Sequence, residues 1–596
     1  MAGEQPSRST LHGLFGLHFH SSRESLTSAF TKSVNRERLM RPRLVFLLLA
    51  LGCAQAATPP STAPSRSRYP GNLAAARPLT HAERTNFTET SRYSDVVQFV
   101  DSLRLLGAKI HIGSIGKTSE GRDIPFIVAS RPLVETPQEA KRLQRPIVYV
   151  QANIHAGEVE GKEALQSILR DLLFDDHTNV LDSVVLIAVP IYNADGNERF
   201  APQERNRTEQ NGPPLVGTRA NAQGLDLNRD YIKAEAPETV ASLRMFRTWD
   251  PDVFVDLHTT DGSYHGYALT YAATLNPAAR FTLPYTRDTM LVELRQRMLE
   301  RHGFLVFDYG NFPREQGAPT AWETYDSRPR FGTNYYGLRG RISVLSEAYS
   351  HDPFVRRVAS TYDFVSELLS YVASNADDIT DLSRQADTRT TGWGNDPRSA
   401  PTIPIRSTIA SVRSGPVRVE EILQMGDTVR YEAGLRRGIK RTGGVRSVDM
   451  PIYDRFAPAL SVPMPYAYAF ARDVGDSAVQ RLVMHGIIVE ELSQPADANV
   501  ASFTVDSTST AAQPFQRHLE RHITGSWGTP SPRTLPVGTL VVRTGQPLGI
   551  LAMYLLEPSS DDGFVDWNVL DPWANARTFP VVRIMQPVQA RLRPTP

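Results

Sequence analysis

His155 and Glu158 stand three residues apart, directly after the apolar run at 147–150, in the stretch Gln151-Ala152-Asn153-Ile154-His155-Ala156-Gly157-Glu158. Imidazole nitrogen and carboxylate oxygen are donors that suit Zn²⁺, and a strand-to-helix turn lets residues three apart converge on one ion. A single such pair arises by chance in a chain with 14 histidines and 64 acidic residues, so its meaning depends on its partners elsewhere in the chain. Two further apolar runs end in residues of the same kind: 253–257 runs into His258, and 341–345 leads to Glu347. In open α/β sheets ligands sit at the carboxyl ends of strands, which makes His155 and His258 neighbours although 103 residues separate them. Two imidazoles and a carboxylate leave one position of a tetrahedral ion open, as a hydrolytic zinc requires. The water's proton then needs a base, for which Glu347 is placed. The oxyanion needs fixed positive charge, which Arg205, Arg207 and Arg219 offer from the polar loop at 197–230.

These residues need elements to hold them. A helical pattern at 80–108 precedes short strand signals at 110–115 and 124–129. After the strand before His155, Leu165, Ile168, Leu169, Leu172 and Leu173 form the apolar stripe of a helix, and 184–191 reads as a second fully apolar strand. A helix at 237–249, a strand ending at His258, a helix near 288–302, a strand at 341–345 and a helix at 354–372 complete this part of the chain. Strand-helix-strand order with near-continuously apolar strands predicts an α/β fold, a mixed, mainly parallel sheet flanked by helices. Residues 376–410, rich in Asp, Thr, Arg, Gly and Pro, read as a linker. The remainder, 411–596, reads as a mainly β accessory domain without a catalytic constellation, with apolar runs at 486–490, 539–544 and 550–555 taken as strands.

Composition narrows the partners. A net charge of +1 over 596 residues offers no basic face for nucleic acid. The one cysteine, Cys53, excludes an intrachain disulfide and a cysteine metal site. It falls in a signal-peptide pattern at 40–56, with Arg41 and Arg43 before an apolar run at 44–51 and small residues after it. Residues 1–39 then form an upstream extension and 57–79 a linker, leaving 80–375 as the catalytic domain. Export to the periplasm or the exterior is expected, either by cleavage at Ala54-Gln55-Ala56 or through a lipid anchor on Cys53, the only membrane contact anticipated.

From about 90 to 375 the motifs come in the order H-x-x-E (155–158), N-x-D-G (193–196), D-x-N-R (226–229), strand-end His258 and strand-end Glu347. In this the chain resembles the zinc carboxypeptidase family. The resemblance implies a carboxypeptidase-like fold and one Zn²⁺ on His155, Glu158 and His258, with Glu347 as general base and Asp226 orienting His155. It further implies that Asn228 and Arg229 hold the terminal carboxylate of a peptide substrate. Arg207 matches the arginine that polarises the carbonyl, with Arg205 as its rival, and Tyr325 matches the tyrosine that closes over the substrate, with Tyr335 and Tyr336 as alternatives. One departure is Gly157, where the family often has arginine; it removes a subsite contact. Murein-peptide amidase or N-acyl-amino-acid deacylase activity would use the same zinc chemistry. A non-catalytic binding module is disfavoured by the complete set of ligands and base.

Overall fold

The computed structural model describes residues 77–313, 318–410, 413–424, 439–571, 576–588 and 590–594. The expected upstream extension, signal peptide and Cys53, and the linker up to residue 76, lie outside the described residues.

An eight-stranded sheet carries the site. In chain order its strands are β1 (His111–Lys117), β2 (Asp123–Ala129), β3 (Ile147–Ala152), β4 (Val185–Val189), β5 (Val253–Thr259), β6 (Leu269–Ala273), β7 (Val306–Asp308) and β8 (Ile342–Ala348). Across the sheet they run β1-β2-β4-β3-β5-β8-β6-β7. The central four, β4, β3, β5 and β8, are parallel, while β2 and β6 join them antiparallel. Every residue of the central four is buried, which is why their sequences are apolar on both faces. Alternation along β3 sends Tyr149 into a cluster with Phe246, Phe254 and Tyr336. Val148 and Val150 go to the other face, against Leu165, Leu169 and Leu368.

The helix after the His155 turn, Glu160–Leu173, is buried on its polar side as well. Glu163 accepts from Thr90 Oγ1 and Ser91 N–H, each at 2.8 Å, Lys162 donates to Asn197 Oδ1 at 2.6 Å, and Arg357 Nε lies 3.3 Å from Glu160. Its cover comes from the segment expected as one helix at 80–108. That segment divides into His81–Arg84 and Tyr93–Leu105, with Asn86 and Phe87 left-handed between them (φ 52° and 58°).

Two sequence expectations fail in the second half. Residues 376–395, expected as linker, form the helix Ala376–Asn395, followed by the strand Ile403–Ala410. The helix buries Ile379, Ser383, Ala386, Thr390 and Gly394 along one side, a stripe at helical spacing made largely of small and polar residues, so no apolar period marks it. The run at 550–555, expected as a strand, is the helix Gly549–Leu556, buried all round; an apolar run without periodicity does not distinguish the two. β structure does dominate 411–596, with a seven-stranded sheet and the long antiparallel pair Arg413–Gln424 and Ile439–Tyr453. The cluster around Tyr149 and Tyr336 continues into Tyr468, Leu551 and Trp567, so the sheet domain and the C-terminal region share one core.

Candidate active site

At the end of β3, Asn153 takes a left-handed conformation (φ 65°), and its amide reaches Ala156 O at 3.4 Å and Glu158 O at 3.3 Å. Asparagine tolerates this geometry better than most residues. The turn brings His155 and Glu158 onto one side, with His155 Nδ1 3.1 Å from Glu158 Oε1. Asn193 of the N-x-D-G motif ties the turn to the next loop by donating to Ile154 O and Arg219 O, both at 3.2 Å. His258 arrives on β5, with Nδ1 3.0 Å from Glu158 Oε2 and 3.2 Å from His155 Nδ1. Parallel pairing of β5 and β8 sets Glu347 directly beside His258.

Among the described residues, His155, Glu158 and His258 form a group able to hold a metal ion, with one donor atom from each within 4.8 Å of the others. The outer nitrogens support the same conclusion. His155 Nε2 lies 3.0 Å from Asp226 Oδ1, and His258 Nε2 lies 3.0 Å from Asp256 Oδ2. Carboxylates behind both imidazoles leave the Nδ1 atoms to face a cation, the arrangement metal-binding histidines commonly show. Burial opposes charge on His258, yet Asp256 and Glu158 hold its pKa well above the ordinary value. Burial pushes the Glu158 carboxyl up, but His155, Arg207 and His258 hold it well below the usual range. Two imidazole nitrogens and a carboxylate form a donor set that fits Zn²⁺.

Asp256 was not singled out in the sequence. Its signal was there: D-x-H on a strand puts both side chains on one face, and Gln151 Nε2 on β3 fixes the other Asp256 oxygen at 3.3 Å.

The cluster opens into a cavity of about 60 Å³ lined by Arg219, Asn228, Arg229, Asp261, Tyr309, Tyr325, Phe331 and Thr333, with Glu347 in its wall. Burial raises the Glu347 pKa well above the carboxylate range, the Glu158 and Asp261 charges adding to it against the pull of His258 and Arg207. Asp226 opens a short 3₁₀ turn, Leu227–Arg229, and its Oδ1 accepts from Asn228 N–H at 2.9 Å. Asn228 Oδ1 accepts from Gly332 N–H at 2.8 Å. Arg229 lies over the Phe331 ring, 3.9 Å from its centre, and forms no ion pair among the described residues. Tyr325 lines the cavity, whereas Tyr335 and Tyr336 are fully buried in the core.

Arg207 stands elsewhere than its match implied. Its guanidinium donates to Glu158 Oε1 at 2.9 Å and to Thr259 O and Thr260 O at 3.2 and 3.1 Å, outside the cavity lining. Its rival Arg205 is exposed and also absent from that lining. The arginine that faces the cavity is Arg219, with Nε 2.9 Å from Asp226 Oδ2 and Nη1 3.5 Å from Glu158 Oε1. Gly157 has a packing reason: a Cβ there would lie 2.6 Å from Arg207 Cγ and 2.9 Å from Gly217 O.

A family model described as zinc carboxypeptidase matches residues 96–303. Carboxypeptidase 2 of Trichophyton equinum is 23% identical over 501 residues, covering 78% of this chain and 81% of that protein. Carboxypeptidase D of Drosophila melanogaster is 29% identical over 166 residues, 26% of this chain and 11% of that protein. A solved metallo-carboxypeptidase from Pseudomonas aeruginosa, in complex with (2-guanidinoethylmercapto)succinic acid, aligns at 19% identity and a TM-score of 0.36, over 49% of this chain and 70% of that one. The matched stretch carries His155, Glu158 and His258 at the carboxyl ends of parallel strands, so residues 96–303 form a zinc carboxypeptidase domain, that of a metallocarboxypeptidase with Zn²⁺ as cofactor.

Proposed function

We propose that the chain removes the C-terminal residue of peptides, with Glu347 as general base, Arg219 as the donor to the carbonyl oxygen, and Asn228 and Arg229 as the carboxylate clamp. The observation that carries this reading is Arg229, a guanidinium without an ion pair among the described residues, in the same cavity as Glu347 and the His155-Glu158-His258 cluster. A planar fork in that state suits a substrate carboxylate bound through two parallel hydrogen bonds. Holding the terminal carboxylate fixes which bond is cut, the one that joins the last residue to the rest.

Bound Zn²⁺ supplies polarisation of the scissile carbonyl and a lowered pKa for water. The chain's own groups do the rest. Glu347, beside His258 in the cavity wall, takes the proton of the attacking water and delivers it to the leaving amine. Arg219 donates to the carbonyl oxygen as that atom gains charge, while Arg207 keeps Glu158 in place. Tyr325, packed against Phe331 at 5.1 Å between ring centres, covers the terminal side chain of the substrate. Export rests on the segment at 40–56 alone; fractionation of cells producing Cys53→Ala beside the native chain tests the anchor, since loss of membrane association requires acylation at Cys53.

Incubation of the zinc-loaded protein with a peptide library and murein fragments, read by mass spectrometry, tests the substrate. Release of one residue from free-acid peptides and none from amidated ones is expected. Cleavage confined to murein fragments or acyl amino acids would overturn the peptide reading. Glu347→Gln should retain zinc and lose about 10²–10⁴-fold in kcat; undiminished turnover would remove Glu347 from the role of base.

A further inference from the structure

The C-terminal region reaches the site through the tip of one hairpin. Its strands, Phe503–Thr510 and Arg521–Trp527, lead to a tip in which Phe515 and His518 exchange backbone hydrogen bonds of 2.8 and 2.9 Å. Gln516 and Arg517 are the two residues of that turn, and both are left-handed (φ 49° and 70°). This is the geometry of a primed hairpin turn, which Asn-Gly or Asp-Gly fill without strain. Gln-Arg does not. Unfavourable backbone conformations persist where the side chains they present have work to do.

Each of these side chains lands on the segment that carries the carboxylate clamp. Gln516 Oε1 accepts from the backbone N–H of Asp226 at 2.9 Å. Arg517 donates to Gln223 O, and His518 Nε2 lies 3.0 Å from Glu235 Oε2. The Asp226 held in this way meets His155 Nε2 at 3.0 Å and accepts from Asn228 N–H at 2.9 Å. The ring beneath Arg229 is anchored by the same region: Arg330, next to Phe331, donates through its N–H and Nε to Asp562 at 2.7 and 2.9 Å and stands 2.6 Å from Glu520.

We propose that Gln516 is a positioning residue for both the metal and the substrate, acting through the backbone of Asp226. The proposal rests on the roles given above to Asp226, Asn228 and Arg229. With its N–H fixed by Gln516, Asp226 aims one carboxylate at the imidazole of His155 and starts the turn that presents Asn228 and Arg229. Without that acceptor the turn loses its register, and His155 and Arg229 lose theirs with it.

The test uses the full chain and the variant Gln516→Gly, which removes the amide and suits the left-handed turn, so the fold is not strained by the change. Zn²⁺ affinity, measured by competition with a chelator, should fall about 10-fold, as for other groups behind metal ligands. KM for a free-acid peptide should rise while kcat changes less, and the thermal midpoint should stay at the native value. Gln516→Glu, which retains an acceptor oxygen, should restore both metal affinity and KM. Native Zn²⁺ affinity in Gln516→Gly overturns the proposal, whatever happens to KM. A native protein that releases no C-terminal residue overturns the carboxypeptidase reading instead, and the chelator competition still decides the role of Gln516.

Discussion

Arg207 and Arg219 share a loop and a partner, Glu158, yet their surroundings differ. Arg207 is 7% exposed and bonded to Glu158 and two carbonyls, whereas Arg219 reaches into the cavity. Removing one partner of a buried ion pair leaves the other charge uncompensated, which costs about 3–5 kcal/mol. Arg207→Ala should therefore lower stability by that order, measured by urea unfolding, and weaken metal retention. Arg219→Ala should leave the urea midpoint near the native value and reduce kcat about 10²–10³-fold, the scale of losing one oxyanion donor. Steady-state kinetics and unfolding on the same two proteins separate the roles; a reversed pattern would return Arg207 to the catalytic position.

At the scale of elements, the turn after β3 works because two chain segments come unusually close. Gly157 is where Arg207 and the backbone at Gly217 pack against it, and Gly217 itself lies where a Cβ would meet Gly196 O at 2.6 Å and Ala156 O at 2.7 Å. Gly157→Ala forces a shift against the inner part of the Arg207 side chain, which is itself held by hydrogen bonds, and against the Gly217 carbonyl, and overpacking of this kind costs about 1–3 kcal/mol. Because the displaced groups are the neighbours of Glu158, the variant should also lose Zn²⁺ affinity, readable by chelator competition. A fully native melting curve with native affinity would show that the segments separate freely. The parallel register of β5 and β8 is the second determinant, since it alone brings Glu347 beside His258. The same register logic puts Gln151 on β3 opposite Asp256 on β5.

At the scale of the whole molecule, two imidazoles buried away from the zinc cluster give the chain a response to acid. Burial holds His265 and His485 down at about 3, with nearby cations helping, whereas an unfolded histidine titrates near 6.5. Between about 6.5 and 3 the unfolded chain binds protons that the native chain does not. Stability from these two groups is thus complete above about pH 6.5 and falls as the pH drops through that window, by up to ~1.4 kcal/mol per pH unit for each. His518 and His522 act in the opposite sense. Hydrogen bonds to Glu235 and Asp566 raise their pKa values, so their contribution is present below about pH 6.5 and is lost as pH rises through the raised value. Both are partly exposed, so solvent screens them and the buried pair dominates. Burial also raises the Asp252 and Asp561 carboxyls, to about 6 and about 7, and these act against the imidazoles, so the test is a difference between two proteins that share those carboxyls. Between pH 7 and pH 5 the urea midpoint of His485→Gln should lose less, or gain more, than that of the native chain, because the substitution removes an imidazole that bonds Tyr335 OH at 2.7 Å and Ile232 O at 3.0 Å in the shared core. An unchanged slope would place the acid sensitivity elsewhere.

The sequence by itself determined the parallel sheet and the residues at its carboxyl edge. Continuous apolar strands have one stable environment, and a polar residue at the end of each can only face the same edge, which is why His155, Glu158, His258 and Glu347 were legible without coordinates. Asp226 and the Asn228-Arg229 pair were legible through their motif. What only the tertiary structure decided lies off the strands. The path of the loop at 197–230 depends on Gly157, Gly217 and the carbonyls of Thr259 and Thr260, so spacing alone could not tell Arg207 from Arg219. The helix Ala376–Asn395 packs through small polar residues, close enough that a Cβ on Gly394 would lie 2.1 Å from Gly545 N, and such contacts leave no hydrophobic period to read. The contact of Gln516 with Asp226 joins residues 290 positions apart; local chemistry carries no trace of it, because the shared core brings the two together.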